Sequence, residues 1–317
     1  MKYQAVIYYP SLEKDLNFTK AKFLEIFDRF DELGMVYVND EKNFYRQIEN
    51  ADFIMALKIR PDVYRYAKKL QAVFTCMAGK EVIPVCENKK ITCYYGSFHG
   101  KLIRESVLSA MLYFNQNFPL ICQCAEKGIW AEAALFGKRR PISQQSVLII
   151  GFGTIGRYCA EYLARLNIKV YAAQRTHHLG ICHDSNAEYV HIDDLHRVLP
   201  TVDHVVSFLP RTEATNNMFD RQFFKKMANH AYFYNFGRGN AVVEADLISA
   251  LDSNEIAGAL LDVFKQEPLE KTSPLWSAKN IVITSHICAY YDNYFDEYAR
   301  ELTTQLQREL VRLKAEN

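Results

Sequence analysis

An arginine, a glutamate and a histidine each follow an apolar stretch in the second half of this 317-residue chain. Arg238 comes after an aromatic, strand-like run, Glu267 after residues 257–264, and His286 after residues 280–284. Open parallel sheets bind ligands beyond the carboxyl ends of their strands, so these side chains can meet at one edge. A guanidinium holds a carboxylate and polarises a carbonyl, and a histidine held in one tautomer exchanges a proton. The set therefore suits the oxidation of an alcohol beside a carboxylate.

A glycine-rich turn joins an apolar strand to a helix in the middle of the chain. Gly151, Gly153 and Gly156 form the pattern G-x-G-x-x-G directly after the apolar residues 147–150. The first glycine permits the turn, the second lets the backbone approach a pyrophosphate, and the third lets the helix pack on the strand. We therefore predict a dinucleotide site with the pyrophosphate at the helix N-terminus. The alternative is an ordinary βα turn that happens to be rich in glycine.

The next strand ends without the acid that would bind the ribose hydroxyls of NAD. Gln174, Arg175 and Thr176 occupy that place. A guanidinium matches the geometry of a 2′-phosphate, and a threonine hydroxyl adds a further donor. The segment therefore predicts NADP as the cofactor, with NAD possible. The alternative is that Arg175 is a solvated charge at the end of a strand.

At these motifs the chain closely resembles the D-isomer-specific 2-hydroxyacid dehydrogenase family, in particular its glyoxylate/hydroxypyruvate reductases. The resemblance extends from Trp130 to Ala289. Residues 77–79 and 96–100 also look like the family's substrate-carboxylate loop and the start of its interdomain helix. The motifs that carry the resemblance are residues 151–156, 207–212 with Thr215, 235–239, 261–269 and 285–287.

The resemblance implies a role for individual residues of this chain. Arg238 would bind the substrate carboxylate and polarise the C2 oxygen, and His286 would exchange the C2-hydroxyl proton. Glu267 would hydrogen-bond the imidazole, and the backbone N–H groups of Ala78 and Gly79 would hold the carboxylate. The residues predicted to lie at the cofactor are Gly151, Gly153, Thr154, Ile155, Gly156, Gln174, Arg175, Thr176, Leu209, Pro210, Thr215, Phe236, Gly237 and Asp262.

Three of these residues have structural alternatives. Glu267 could cap the following turn, Asp262 could be an acid at a strand end, and His286 could be a core histidine. A metal site at His177, His178 and His183 is also conceivable. Their spacing fits no familiar ligand pattern and hydride transfer needs no metal, so we predict none.

Two α/β domains are expected to position the site. Short β-rich runs alternate with helical patterns in the first third of the chain, which predicts a parallel sheet flanked by helices. With the resemblance, this implies a Rossmann dinucleotide-binding domain over residues 95–289. A split flavodoxin-like substrate domain would comprise residues 1–94 and the returning helix at 290–317, whose leucine stripe should pack on the first segment. Further helices are predicted over residues 21–31, 63–70 and 99–118.

Composition excludes several classes of protein. The chain has 38 basic and 37 acidic residues and no long basic run, so we expect no binding to nucleic acid or to an anionic membrane. The N-terminal apolar stretch is too short for a signal peptide, and no run approaches a membrane span. Eight scattered cysteines are typical of reduced thiols in a cytoplasmic protein. The resemblance implies a homodimer.

The departures from the family pattern leave the substrate open. Lys80 follows the carboxylate loop, Ser285 stands where proline is common, and Cys288 and Tyr290 crowd a place usually held by smaller residues. We expect an NADPH-linked reduction of a small 2-oxoacid, of the glyoxylate or hydroxypyruvate type, to the D-2-hydroxyacid. One alternative is an NAD-linked dehydrogenase of a bulkier or phosphorylated 2-hydroxyacid, with Lys80 and Arg60 as anion ligands. The other is a nucleotide-sensing binding protein without catalysis.

Overall fold

The computed structural model describes residues 2–10, 20–84, 88, 90–176, 180–182 and 185–316. The chain divides into two compact units, Met1–His99 with Tyr291–Asn317 and Gly100–Tyr290. The assignment of a substrate domain to the first unit and a dinucleotide-binding domain to the second stays a prediction.

The first unit is built on a parallel sheet with the strand order β2-β1-β3-β4-β5. This order is that of the flavodoxin-like fold, as predicted. Its central strands β3 and β4 are buried along their whole length because helices cover both faces of such sheets, while the edge strands β2 and β5 are only partly buried. The strands are β1 (Tyr3–Tyr8), β2 (Leu33–Val38), β3 (Phe53–Ala56), β4 (Ala72–Phe74) and β5 (Thr92–Tyr94).

The helices of this unit are shorter than predicted. They are α1 (Lys20–Phe27), α2 (Glu41–Gln47) and α3 (Val63–Tyr66). The prediction of a helix over 63–70 is wrong after Tyr66, because Ala67 leaves the helical region with a ψ of 74°. The prediction over 21–31 is wrong after Phe27, where turns lead into β2.

The second unit is a Rossmann fold. Its sheet has the order β13-β12-β11-β10-β6-β7-β9-β8, parallel except for the β8–β9 pair. The stretch from β9 to β12 has the doubly wound order that binds dinucleotides at the point where it reverses. The strands are β6 (Ser146–Ile150), β7 (Lys169–Gln174), β8 (Ile181–Cys182), β9 (Ala187–His191), β10 (His204–Ser207), β11 (Tyr232–Asn235), β12 (Gly258–Leu261) and β13 (Ile281–Ile283).

The predicted helix over 99–118 ends early. It stops at Asn115, and Asn117 adopts a left-handed conformation with φ of 56° before a second helix begins at Phe118. Pro119 explains why the first helix does not continue, because proline has no N–H group to donate to the Asn115 carbonyl and its ring would clash with that carbonyl. The helices of this part of the chain are α4 (His99–Asn115), α5 (Phe118–Glu126), α6 (Glu132–Leu135), α7 (Thr154–Ala164), α8 (Leu195–Val198), α9 (Arg221–Lys226) and α10 (Glu244–Asp252).

The chain returns to the first unit in the helix α11 (Tyr294–Ala315). Its stripe of Leu302, Leu306, Leu310 and Leu313 is buried, so the predicted core contact is confirmed. The Tyr298 hydroxyl lies 2.8 Å from that of Tyr9 at the end of β1. Among the described residues, no helix combines the length and the apolar character needed to cross a membrane.

Candidate active site

The glycine turn after β6 has the geometry that its sequence predicts. Gly151 has a φ of 99°, and a Cβ there would lie 2.9 Å from the carbonyl carbon of Phe208. A Cβ on Gly156 would lie 2.5 Å from the carbonyl oxygen of Gly151. These two positions therefore accept no larger residue without a shift of the backbone.

Gly153 differs from its two neighbours, because a Cβ there would meet no atom within 4 Å. It is the N-cap of α7 and offers no side chain to the N–H groups of the first turn, at Thr154 and Ile155. Those N–H groups have no partner inside the helix, and the helix dipole adds positive potential beside them. The open space above this helix end fits the pyrophosphate of a dinucleotide.

The end of β7 presents the predicted cofactor-selecting segment. Arg175 and Thr176 are exposed, and the Arg175 guanidinium has no ion-pair partner among the described residues. Gln174 is half-buried, and its Nε2 atom has no hydrogen-bond partner in the described part of the chain. Donors without partners among the described residues suit a phosphate, and the cofactor-selecting role of the segment stays a prediction.

The loops after β10 and β11 pack on each other. The rings of Phe208 and Phe236 stack with centroids 6.3 Å apart, and Leu209 is buried. Pro210 is exposed at the start of its loop, and its carbonyl accepts a hydrogen bond of 2.7 Å from the Thr215 hydroxyl. Thr215 therefore closes this loop, whether or not it also meets a cofactor.

Arg238 stands on a turn that is fixed on both sides. A Cβ on Gly237 would lie 2.6 Å from the Leu209 nitrogen, and one on Gly239 would lie 1.9 Å from the carbonyl carbon of Phe264. Both neighbouring glycines are therefore pressed against other loops, and the backbone of Arg238 has little freedom.

Asn235 spans this turn from the end of β11. Its buried Oδ1 accepts from the Gly237 N–H at 3.1 Å, and its Nδ2 donates to the Arg238 carbonyl at 3.1 Å. The sequence analysis gave this residue no role. The signal available was an asparagine two residues before a glycine, a spacing that favours a turn closed by the side chain.

Glu267 and His286 form a hydrogen-bonded pair. Glu267 Oε2 lies 2.8 Å from His286 Nδ1, and its Oε1 accepts from the Phe264 N–H at 2.9 Å. The His286 side chain is 47% exposed, so it is not a core histidine. A carboxylate accepts, so Nδ1 carries a hydrogen, and Nε2 is the ring atom left for proton exchange.

Asp262 ties the turn of His286 to the end of β12. It is fully buried, and its Oδ1 accepts from the Thr284 hydroxyl at 2.6 Å and from the Ile287 N–H at 3.0 Å. Its carbonyl accepts the His286 N–H at 2.8 Å, and His286 has a φ of 57°. The acid therefore fixes a left-handed turn, and its predicted place beside the nicotinamide stays a prediction.

Burial and the nearby carboxylate of Asp262 raise the pKa of the Cys288 thiol, which therefore stays protonated. Tyr290, by contrast, is 60% exposed.

The predicted carboxylate loop lies in the first unit. The N–H groups of Ala78 and Gly79 donate to no acceptor in the described part of the chain, and Lys80 is exposed. Arg60, by contrast, pairs with Glu41 at 3.2 Å and with Asp62 at 3.3 Å. Two carboxylates thus already neutralise its charge.

Within the described residues, no group of three or more His, Cys, Asp and Glu side chains could hold a metal ion. His177, His178 and His183, which were considered for such a site, lie outside the described residues.

The family model for the D-isomer specific 2-hydroxyacid dehydrogenase, NAD binding domain, matches residues 108–288, more than half of the chain. The chain belongs to this family. As a D-isomer-specific 2-hydroxyacid dehydrogenase it is an oxidoreductase, and the roles of Arg238, Glu267 and His286 in its reaction stay predictions.

Similar proteins agree with this family. Glyoxylate/hydroxypyruvate reductase A of Salmonella paratyphi B is 29% identical over 246 residues, which are 74% of this chain and 76% of that protein. A probable 2-ketogluconate reductase of Dictyostelium discoideum is 30% identical over 258 residues, 78% of this chain and 76% of that protein. The solved NADPH-dependent glyoxylate/hydroxypyruvate reductase of Sinorhizobium meliloti, in complex with NADP and sulfate, has a TM-score of 0.80 and 24% identity, and covers 99% of this dehydrogenase and 96% of that chain.

Proposed function

We propose that this dehydrogenase reduces a small 2-oxoacid of the glyoxylate or hydroxypyruvate type to the D-2-hydroxyacid, with NADPH as the hydride donor. The Glu267–His286 pair at 2.8 Å carries the proposal. The loops with Arg238, Glu267 and His286 follow three neighbouring strands, β11, β12 and β13. A proton donor and a cation for the substrate carboxylate thus belong to one sheet edge.

Arg238, Glu267 and His286 each have a separate role in the proposed reduction. When bound, the nicotinamide supplies the hydride. Arg238 binds the carboxylate and stabilises the negative charge that develops on the C2 oxygen. Protonated His286 donates from Nε2 to that oxygen, while Glu267 holds Nδ1 and fixes the orientation of the ring. The N–H groups of Ala78 and Gly79 are proposed as further ligands of the carboxylate.

The choice of NADPH rests on the segment after β7. No acid occupies residues 174–176, and the exposed guanidinium of Arg175 suits a 2′-phosphate. The similar reductase of Sinorhizobium meliloti is in complex with NADP. The remaining cofactor contacts are proposed at Gly153 and the first turn of α7, where the space above the helix end is open.

Two arguments weigh against the alternative functions, a dehydrogenase of a phosphorylated 2-hydroxyacid and a nucleotide sensor without catalysis. Arg60 is already paired with two carboxylates, which makes it a poor ligand for a substrate phosphate. A nucleotide sensor has no need of a glutamate that orients an exposed histidine.

We also propose a homodimer in the cytoplasm. Residues 117–139, here called the apolar arm, expose Trp130 and Phe136 by 85% and 86% beside a cavity of about 850 Å³. Large apolar side chains displayed together usually mark an interface, and a second copy of the chain offers a matching apolar surface. The seven cysteines that the structure describes are free thiols, which suits a reducing compartment.

Turnover of a panel of 2-oxoacids, followed by NADPH absorbance, tests the proposed reaction. We expect glyoxylate and hydroxypyruvate to be reduced. His286→Ala and Arg238→Ala should each lower kcat by about 10²–10⁴-fold because proton transfer or charge stabilisation is lost. Both variants should still bind NADPH. His230→Ala, a change at an exposed histidine, serves as the control. Nucleotide binding without turnover of any 2-oxoacid would instead identify a sensor.

A further inference from the structure

His191 ends the strand beside the cofactor-selecting segment. The register of β7 on β9 stops at the pair Gln174 and His191, after which β9 turns into a short 3-10 helix at Ile192–Asp194. Arg175 is therefore the first residue after β7, and strand pairing alone does not hold its backbone in place.

The His191 side chain supplies the missing contact. Its Nε2 lies 2.9 Å from the Arg175 carbonyl oxygen, and its Nδ1 lies 3.4 Å from the Asp193 backbone nitrogen. A carbonyl only accepts, so Nε2 carries the hydrogen of the bond to Arg175. Nδ1 also lies 3.4 Å from the Asp193 carboxylate oxygen Oδ2, so both of its neighbours belong to Asp193. The side chain is 15% exposed, so the imidazole is enclosed by the fold.

We propose that His191 is a positioning residue that sets the preference for NADPH over NADH by fixing the backbone of Arg175. The guanidinium reaches a 2′-phosphate only if its own backbone holds one direction, and the imidazole bond is the contact that fixes this direction. NADH lacks the phosphate, so its binding does not depend on Arg175. The inference rests on the proposed use of NADPH and adds a residue that the cofactor does not touch.

Dissociation constants for NADPH and NADH, measured through nucleotide fluorescence, test this without any substrate. His191→Ala should weaken NADPH binding by roughly fivefold to tenfold, the size of one hydrogen bond, and leave NADH within about twofold. His191→Gln should restore most of the preference because its amide can donate to the same carbonyl. His196→Ala is the matched control, since this exposed histidine bonds the Asp193 carbonyl.

A double-mutant cycle separates positioning from general stability. In an Arg175→Ala background, His191→Ala should cause no further loss of NADPH affinity. Equal loss for both nucleotides, additive losses in the cycle, or an unchanged preference in His191→Ala would each overturn the proposal. So would a wild-type protein that binds both nucleotides equally. None of these results bears on the reduction of 2-oxoacids, which the substrate panel tests separately.

Discussion

The buried carboxylate of Asp262 fixes the backbone conformation around His286. Asp262 accepts hydrogen bonds from Thr284 and Ile287, on either side of His286, and His286 itself is held with a positive φ. Such a conformation persists only where the surroundings enforce it. Asp262 thus positions the ring of His286, the proposed proton donor, by holding the backbone on either side of it.

Asp262→Asn distinguishes this positioning from direct contact with the cofactor. We expect kcat to fall by roughly tenfold to a hundredfold, because a slightly displaced acid–base group transfers protons poorly. The dissociation constant for NADPH should stay within about twofold of wild type if no hydrogen bond to the nucleotide is lost. Asp252→Asn, at an exposed helix position, is the control. Weakened NADPH binding with normal kcat would favour the cofactor role instead.

At the scale of elements, two glycines of the turn into α7 have different roles. Gly153 leaves space for a ligand, whereas Gly156 lets the helix pack against the turn. Gly153→Ala should fold normally, since its Cβ meets no protein atom, but should weaken nucleotide binding because the methyl group enters the space of the pyrophosphate. Gly156→Ala should instead lower the free energy of unfolding by about 1–3 kcal/mol, because its Cβ strikes the Gly151 carbonyl.

Thermal unfolding and NADPH titration of the Gly153→Ala and Gly156→Ala variants test these two predictions. Loss of stability in Gly153→Ala, or full stability in Gly156→Ala, would contradict the geometry of the turn.

Sequence periodicity predicts those elements whose signals are local. The glycine turn follows from apolar runs and turn residues along the chain, whereas the Rossmann and flavodoxin-like folds were expected from the family resemblance. The break at Asn117 was missed because a continuous apolar pattern outweighed the missing N–H group of Pro119. The hydrogen bonds of Asp262 could not be read from the sequence in the same way, because they join the end of β12 to a loop more than twenty residues away.

At the scale of the whole molecule, a buried histidine makes stability depend on pH. His204 is fully buried, with Nδ1 2.9 Å from the Tyr234 hydroxyl and Nε2 2.5 Å from Gln145 Oε1. Burial lowers its pKa from 6.5 to about 4, with smaller opposing and assisting effects of Asp203 and Arg140. The unfolded chain therefore takes up a proton at a higher pH than the folded protein does.

We expect the free energy of unfolding to fall as pH drops from 6.5 towards about 4, by roughly 3 kcal/mol from this residue. Above pH 6.5 neither state is protonated and the residue adds no pH dependence. Urea unfolding of wild type and His204→Gln at several pH values isolates the effect. A difference between the two proteins that stays constant through this window would disprove it.

The apolar arm allows a test of assembly. Trp130→Ser with Phe136→Ser should convert a dimer into a monomer, because these exposed rings would form the centre of the interface. Trp276→Ser, another exposed tryptophan outside the arm, should leave the mass unchanged. Light scattering after size exclusion gives the mass directly. A monomeric wild type, or a double variant that stays dimeric, would show that the arm has another role.

The glycines on either side of Arg238 also decide where an engineer can alter substrate range. Neither Gly237 nor Gly239 has room for a single added carbon, so libraries that randomise this segment would consist mainly of misfolded chains. Ile287, next to His286, is 48% exposed and can vary in size without disturbing the core. Libraries around His286, the proposed proton donor, should therefore begin at Ile287 and leave the arginine turn untouched.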